Sequence, residues 1–336
     1  DTASMSTILD TVVQDGRHAL CFGHSGVGKS ALTQGHLRQL CQKLPDQFDH
    51  VIVSLSAQTN SHNMQSVLES KLEKKRKTLL GPKGMRRMTI LVDDFNLPRP
   101  DLYGSQPALE LLRQVIDSGG FYDKKKLFFK QVDKTMFVGT CAPPGGARNA
   151  VSDRLLRHFH VLWFTEPKAS SLEAIFSSIM SGHLDTVAPE IANAQQGCVY
   201  NFVQAAITIY RRVCDKMRPT PEKSHYTFNL RDASKVVQGI LMMTRKSIFN
   251  LPSGSKSDTP VDLETGFNRL FRGWLHEHMR VYADRFTDQQ DLIWFCDLFR
   301  ETALSNFGGD AKFMEWEDAV GSVPAEQKTA SYLSGI

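Results

Sequence analysis

Gly23-His24-Ser25-Gly26-Val27-Gly28-Lys29-Ser30 follows directly on the apolar run Ala19-Leu20-Cys21-Phe22, and its spacing is G-x-x-x-x-G-K-S. Glycines at this spacing let successive backbone N–H groups turn inward around phosphate oxygens, and a helix that follows aims its positive dipole end at the same anion. The stretch therefore reads as a phosphate-binding loop between a strand and a helix, with Ala31 in the opening turn of that helix. Lys29 is expected to reach the β and γ phosphates. Ser30 is expected to offer a hydroxyl to Mg²⁺, an ion that keeps several waters in nucleotide sites.

Working outward, Met5, Ile8, Leu9, Val12 and Val13 show helical spacing ahead of the first strand, His18 to Phe22. After the loop, Leu32, His36, Leu40, Cys41 and Leu44 fall near one helix face that stops at Pro45. Val51 to Leu55 is a buried strand. Strand, helix and strand at this spacing predict a parallel sheet with crossover helices. A helix with Met64, Val67, Leu68 and Leu72 precedes Lys74-Lys75-Arg76-Lys77 and Arg86-Arg87. These basic residues read as a solvated helix end and loop rather than a phosphate-tracking patch, since no aromatics are interleaved for base stacking.

Thr89-Ile90-Leu91-Val92-Asp93-Asp94 is an apolar strand ending in two carboxylates, the form of a Walker B element. Asp93 is placed to hold Mg²⁺ and Asp94 to polarise an attacking water, although two acids at a strand end also suit a helix cap. A helix bearing Leu109, Leu112, Val115 and Ile116 ends at Gly119-Gly120, and 120–132 reads as a β-hairpin with a charged tip at Asp123 to Lys126. Thr135 to Thr140 is a further buried strand. Arg154 and Arg157 precede the last strand, His158 to Phe164; each is a surface arginine or a cation reaching towards a neighbour's nucleotide.

From Glu166-Pro167 onward the pattern turns helical. Apolar stripes run through Val199 to Tyr210, Val236 to Ile248 and Phe267 to Tyr282, where His278 reads as a packed core histidine. Asn250 to Pro260 reads as a loop. Arg231 opens a helix, where a cation gains nothing from the dipole and is understandable if it faces a phosphate. The expected organisation is a nucleotide-binding α/β domain over 1–166, a small helical domain over 167–300 and a linker over 301–336.

Composition narrows the classes. The 336 residues carry a formal net charge of +4, which makes no case for nucleic acid or an anionic membrane as main partner. Six dispersed cysteines without C-x-x-C or zinc-type spacing imply a reduced, intracellular setting. The longest uncharged run, Ile191 to Tyr210, is too polar to cross a bilayer. No signal peptide is legible, and a start at Asp1 without methionine implies a piece of something longer.

A phosphate-binding loop, a Walker B strand, an added strand between them, arginines before the last strand and a helical domain with an N-terminal arginine together resemble an AAA+ ATPase. Further stretches resemble the dynein heavy chains, most closely the third AAA+ module of the axonemal members: Leu55-Ser56-Ala57-Gln58-Thr59, Val92 to Pro98, Tyr103 to Pro107, Leu111 to Gln114, Pro143 to Asn149, Arg157-His158-Phe159 and Phe228 to Asp232. The resemblance runs from residue 1 to about Phe299. It implies a P-loop NTPase sheet sandwiched by helices and a following all-α domain. It also implies ATP or ADP with Mg²⁺ at Gly23, His24, Ser25, Gly26, Val27, Gly28, Lys29, Ser30 and Ala31, with Asp93, Asp94 and the sensor arginine Arg231. Arg154, or Arg157, is then directed to the adjacent module. The implied partners are neighbouring modules of one heavy chain, other dynein subunits and, through a stalk elsewhere, the microtubule. The implied setting is the cytoplasm, cytoskeleton and ciliary axoneme.

Two departures qualify the implied activity. Asp94 stands where active AAA+ sites usually carry glutamate, and Ala142 stands where many carry a sensor asparagine, which leaves γ-phosphate sensing to Thr140 or abolishes it. The expectation is nucleotide binding with slow hydrolysis. The alternatives are a nucleotide held without turnover, and a stand-alone loader acting on nucleic acid through Lys74 to Lys77 and Arg86-Arg87.

Overall fold

The structure, a computed structural model, describes residues 2–145, 148–194, 197–249, 251 and 262–307. It divides into two units, Asp1–Glu166 and Pro167–Ile336, each with its own core.

In the first unit, five strands run parallel, and the central three are nearly continuously apolar because a strand buried on both faces must be. The elements in order are α1 (Thr2–Gln14), β1 (Ala19–Gly23), α2 (Lys29–Lys43), β2 (Phe48–Ser54), α3 (Ser61–Lys71), β3 (Glu73–Arg76), β4 (Leu79–Gly81), β5 (Arg87–Asp93), α4 (Pro107–Ser118), β6 (Gly120–Tyr122), β7 (Phe129–Val132), β8 (Thr135–Cys141), α5 (Asp153–Leu156) and β9 (His160–Phe164). The main sheet has the order β2-β5-β8-β1-β9. Its registers are parallel throughout: Leu20 pairs with Gly139, Ile90 with Phe137, Ile52 with Leu91 and Phe22 with Trp163.

Alternate side chains feed two cores. Cys21, Leu91, Met136 and Val138 pack with Leu9 and Val13 of α1 and Leu37 and Leu40 of α2. Leu20, Ile90, Val92 and Phe137 pack on the other face with Met64 and Leu68 of α3 and Leu109, Leu112 and Val115 of α4. Gly139 keeps the sheet close-packed here, since a Cβ would lie 2.7 Å from Leu20 Cδ1. This order puts β1 beside β8, with β5 beyond it, so the carboxyl ends of all three open at one edge, where open α/β sheets bind ligands.

The hairpin expected over 120–132 is present as β6 and β7, antiparallel from Gly120–Gln131 to Tyr122–Phe129. It belongs to a second four-stranded sheet, β3-β4-β7-β6. The expected helix end and loop at Lys74 to Lys77 is corrected here, because Glu73–Arg76 is a strand paired antiparallel with β4. Every one of its side chains is exposed, so only its backbone pairing makes it a strand. Of the tip lysines, Lys124 donates to His62 O, while Lys130 on β7 pairs with Asp123 at 2.6 Å and Glu69 at 3.1 Å.

The second unit is helical: α6 (Ala169–Val187), α7 (Pro189–Ala194), α8 (Cys198–Lys216), α9 (Leu230–Leu241), α10 (Arg245–Phe249), α11 (Leu263–Val281), a 3₁₀ turn (Ala283–Arg285) and α12 (Gln289–Phe307). Trp274 is fully buried among Phe202, Phe271, Phe299 and Phe307, with ring centroids 4.9 to 5.8 Å away. The stripe read across Val236 to Ile248 is two helices, since α9 ends at Leu241 and the Thr244 hydroxyl and amide engage Ser247 at the start of α10. Residue 301, where a linker was expected to start, lies inside α12. α12 continues to Phe307, where Thr302 and Phe307 are buried, and 308–336 lie outside the described residues. So does all of the loop expected over 250–260 except Leu251. Among the described residues no helix is long and apolar enough to cross a membrane.

Candidate functional site

At the carboxyl end of β1 the chain leaves the sheet through Gly23, where a Cβ would lie 2.5 Å from Phe164 O of the neighbouring strand. Gly26 and Gly28 both have φ of 87°, the left-handed region that a side chain disfavours. Val27 packs into the core shared by α1 and α2, which pins the loop from beneath, while His24 and Ser25 are exposed. Gly28 caps α2 without any side-chain hydrogen bond, so the helix begins with Lys29, Ser30 and Ala31 presenting uncapped backbone N–H groups.

Lys29 is buried, with 8% of its surface exposed. Its ammonium donates to Gly23 O at 2.7 Å and His24 O at 2.5 Å, and among the described residues no carboxylate lies within salt-bridge distance of it. Burial first, and then the Arg148 guanidinium, pull its pKa below the usual lysine value, with Asp94 opposing. A buried cation without a paired anion costs free energy unless a negative group joins it. That uncompensated charge beside a row of helix N-terminal amides fits a phosphate.

Ser30 Oγ donates to Asp93 Oδ1 at 2.7 Å, which brings the first residues of α2 to the end of β5. The Thr140 hydroxyl, at the end of β8, donates to the same carboxylate oxygen and accepts from Asp94 N at 3.2 Å. Thr140 is buried, and its one hydroxyl proton is committed to Asp93. Of the two alternatives left open by Ala142, sensing through Thr140 or its loss, neither is decided by this bond, which shows the hydroxyl coupling the two acidic positions. Asp93 and Asp94 do not cap a helix. Asp94 has φ of 52°, a left-handed conformation that aspartate tolerates better than most residues.

Arg148, to which the motif gave no role, is the functional candidate that sequence reasoning missed. Its guanidinium pairs with Asp94 Oδ1 at 2.8 Å, across 54 residues of chain. The loop carrying it is closed by reciprocal backbone bonds between Gly145 and Arg148, both 3.1 Å. Asn149 anchors it through bonds to Asn96 O and Pro98 O, each 3.0 Å. Asn96, buried, donates to Ala142 O at 2.7 Å. The advance signals were an arginine shortly after β8 and its place in the dynein-like stretch Pro143 to Asn149.

The two arginines before β9 differ. Arg157 pairs with Asp117 of α4 at 3.2 Å, an acid that His158 also approaches to 2.9 Å. Arg154 is exposed on α5 and forms no ion pair among the described residues. In the second unit, Arg231 is exposed in the first turn of α9. Asn229 Oδ1 accepts from Arg231 N at 2.9 Å, and Asp232, turned inward, accepts from Asn229 N at 3.1 Å and pairs with Arg285 at 3.1 Å. The cap and Arg285 thus satisfy this helix start without the Arg231 guanidinium.

Two family models match the chain. One, described as the P-loop containing dynein motor region, covers residues 1–167, and the other, the dynein heavy chain ATPase lid domain, covers 183–292. The chain belongs to the dynein heavy-chain family. Dynein axonemal heavy chain 6 of Homo sapiens is 39% identical over 308 residues, 92% of this chain. Dynein axonemal heavy chain 1 of Homo sapiens is 37% identical over 89% of it, and the dynein-1-beta heavy chain of the flagellar inner arm I1 complex of Chlamydomonas reinhardtii is 34% identical over 88%. The chain spans about 6 to 7% of the length of these dynein relatives. The lid model falls on the helical unit that carries Arg231, and the motor-region model on the sheet that carries Gly23 to Ser30, Asp93 and Asp94.

Proposed function

We propose that this chain is a nucleotide-binding AAA+ module of an axonemal dynein heavy chain, most like the third, that holds ATP or ADP with Mg²⁺ and turns it over slowly. The observation carrying this reading is the buried Lys29 ammonium, aimed by the loop from Gly23 to Gly28 and lacking a counter-anion. In this reading the backbone N–H groups from Ser25 to Ala31 hold phosphate oxygens and Lys29 supplies the neutralising charge. Ser30 and Asp93, already joined by a hydrogen bond, offer hard oxygen donors to Mg²⁺. Among the described residues no cluster of three or more His, Cys, Asp and Glu side chains could hold a metal unaided, so phosphate and water complete its shell.

Asp94 is the base that orients water. Its tie to Arg148 and its short side chain favour slow turnover, because the carboxylate must leave the guanidinium before it can accept a proton. Arg154, without an ion pair among the described residues, is the finger towards an adjacent module, and Arg157 braces α5 on α4 through Asp117. Arg231 keeps the sensor role that the family resemblance implies. The relatives' names point to the ciliary or flagellar axoneme, with neighbouring modules and other dynein subunits as partners and the microtubule reached indirectly.

The test is release of bound nucleotide from the purified chain by denaturation, followed by a phosphate-release assay. Co-purifying ADP or ATP and a turnover that rises in Asp94→Glu support the reading. Absence of bound nucleotide together with no uptake of added Mg·ATP contradicts it. Turnover at zero with nucleotide retained favours the reading in which the nucleotide is a structural ligand, for which the Asp94–Arg148 pair is the specific observation.

A further inference from the structure

Ala142 brings only a methyl group to the end of β8, and the Thr140 hydroxyl is spent on Asp93. No polar side chain of that strand end is left to meet a terminal phosphate. One cation nearby has a partner it can exchange. Arg148 is held on a loop closed by Gly145 and tied down through Asn149, so the guanidinium is delivered by a braced backbone. It lies against Asp94 at 2.8 Å, with both side chains partly open to solvent, 25% for Arg148 and 44% for Asp94. Its charge also reaches the site proper, since Lys29 and the thiol of Cys141 both feel Arg148 and Asp94 together.

Arg148 and Asp94 are thus a closed pair whose charges act on the Lys29 ammonium without either side chain bonding it. A planar guanidinium suits a phosphate as well as a carboxylate. A terminal phosphate carries about −1.5 to −2 charges against −1 for Asp94. Where both compete for one arginine, the phosphate is the stronger partner.

We propose that Arg148 distinguishes a nucleoside triphosphate from a diphosphate by exchanging its Asp94 partner for the γ-phosphate, which releases Asp94 for water. The inference rests on the nucleotide-site reading above. Without a γ-phosphate the pair stays closed and the acid is held off; with one, Arg148 moves to the anion and Asp94 is freed. The state of the site is thereby coupled to the acid that acts in it through one ion pair.

The test is equilibrium titration of the whole chain with Mg·ADP and Mg·AMPPNP, a non-hydrolysable triphosphate analogue. Arg148→Ala is expected to weaken AMPPNP binding about tenfold relative to ADP, the scale of one charge-assisted contact, and Arg148→Lys to recover part of it. Asp94→Asn is expected to tighten AMPPNP severalfold, and this gain is expected to shrink in the Arg148→Ala background, as coupled residues require. An unchanged AMPPNP-to-ADP ratio in Arg148→Ala, or equal loss of both ligands, overturns the proposal. If Arg148→Ala fails to fold, Asp94→Asn decides alone, and no tightening overturns it. Binding of neither nucleotide by the unsubstituted chain overturns the nucleotide-site reading as well, whereas binding of both with the ratio untouched overturns only the role of Arg148.

Discussion

The sheet edge of the first unit and the α11 core of the second both set polar groups among apolar ones, and they treat them in opposite ways. At the edge, Asp94 and Arg148 are charged, paired and partly exposed, and the Lys29 ammonium, among the described residues, hydrogen-bonds backbone carbonyls alone. Trp274 and His278 of α11 and Tyr282 at its C-cap follow at four-residue spacing, all fully buried, and among the described residues the indole N–H, the His278 Nε2 and the Tyr282 hydroxyl have no hydrogen-bond partner. Burial holds His278 down to about 4, against the bond from its Nδ1 to Trp274 O at 2.8 Å, and pushes Tyr282 well up. The difference separates a place where charge can be exchanged from one where it must not arise. Ligand chemistry belongs to the first, and stability to the second.

The largest effect expected from substitution is therefore in the helical unit. Trp274→Ala is expected to cost about 3–5 kcal/mol by denaturant unfolding, because it empties the centre of an aromatic cluster. A cost below about 1 kcal/mol would show instead a core that collapses around the gap.

Acid provides the next test. The folded chain binds a proton at His278 only near pH 4, whereas a free histidine binds one near 6.5. Stability is then flat above about 6.5 and falls as the pH drops towards 4, by on the order of 2–3 kcal/mol for this residue. His18 in the first unit, also held to about 4, by burial and then by His158 and His160, adds a loss of the same sign. His278→Phe is expected to flatten the His278 share of the acid limb in a pH series of unfolding midpoints, and an unchanged slope would contradict its neutral burial.

Gly23→Ala comes third, at about 1–3 kcal/mol, because the new Cβ meets Phe164 O. Its melting temperature should drop even without nucleotide, because the backbone of this loop is also structural. The smallest is Asn229→Ala, about 1 kcal/mol for the lost cap of α9, read in the same unfolding assay.

The legible parts of the chain were those in which side chains carry the structure. β1, β5 and β8 are apolar at successive positions because both faces are buried, and α4 opens on Pro107 and closes on Gly119 at φ of 68°. β3 was not legible, since Glu73 to Arg76 shows no apolar face and is a strand only through its pairing with β4. The break between α9 and α10 was missed because the apolar spacing runs straight through it. In the site, the loop and both acids were readable from local motifs. The role of Arg148 was not, because it depends on a return of the chain from β8 to β5. The inward use of Thr140 needed the same proximity.

On the proposed function, the Lys29 ammonium at this edge takes a phosphate. Calorimetric titration of the whole chain with Mg·ADP, beside Lys29→Ala, tests it most directly. The account predicts saturable binding that Lys29→Ala weakens by roughly a hundredfold, the loss of a buried charge-assisted contact. Equal binding by both proteins, or none by the unsubstituted chain, would contradict it.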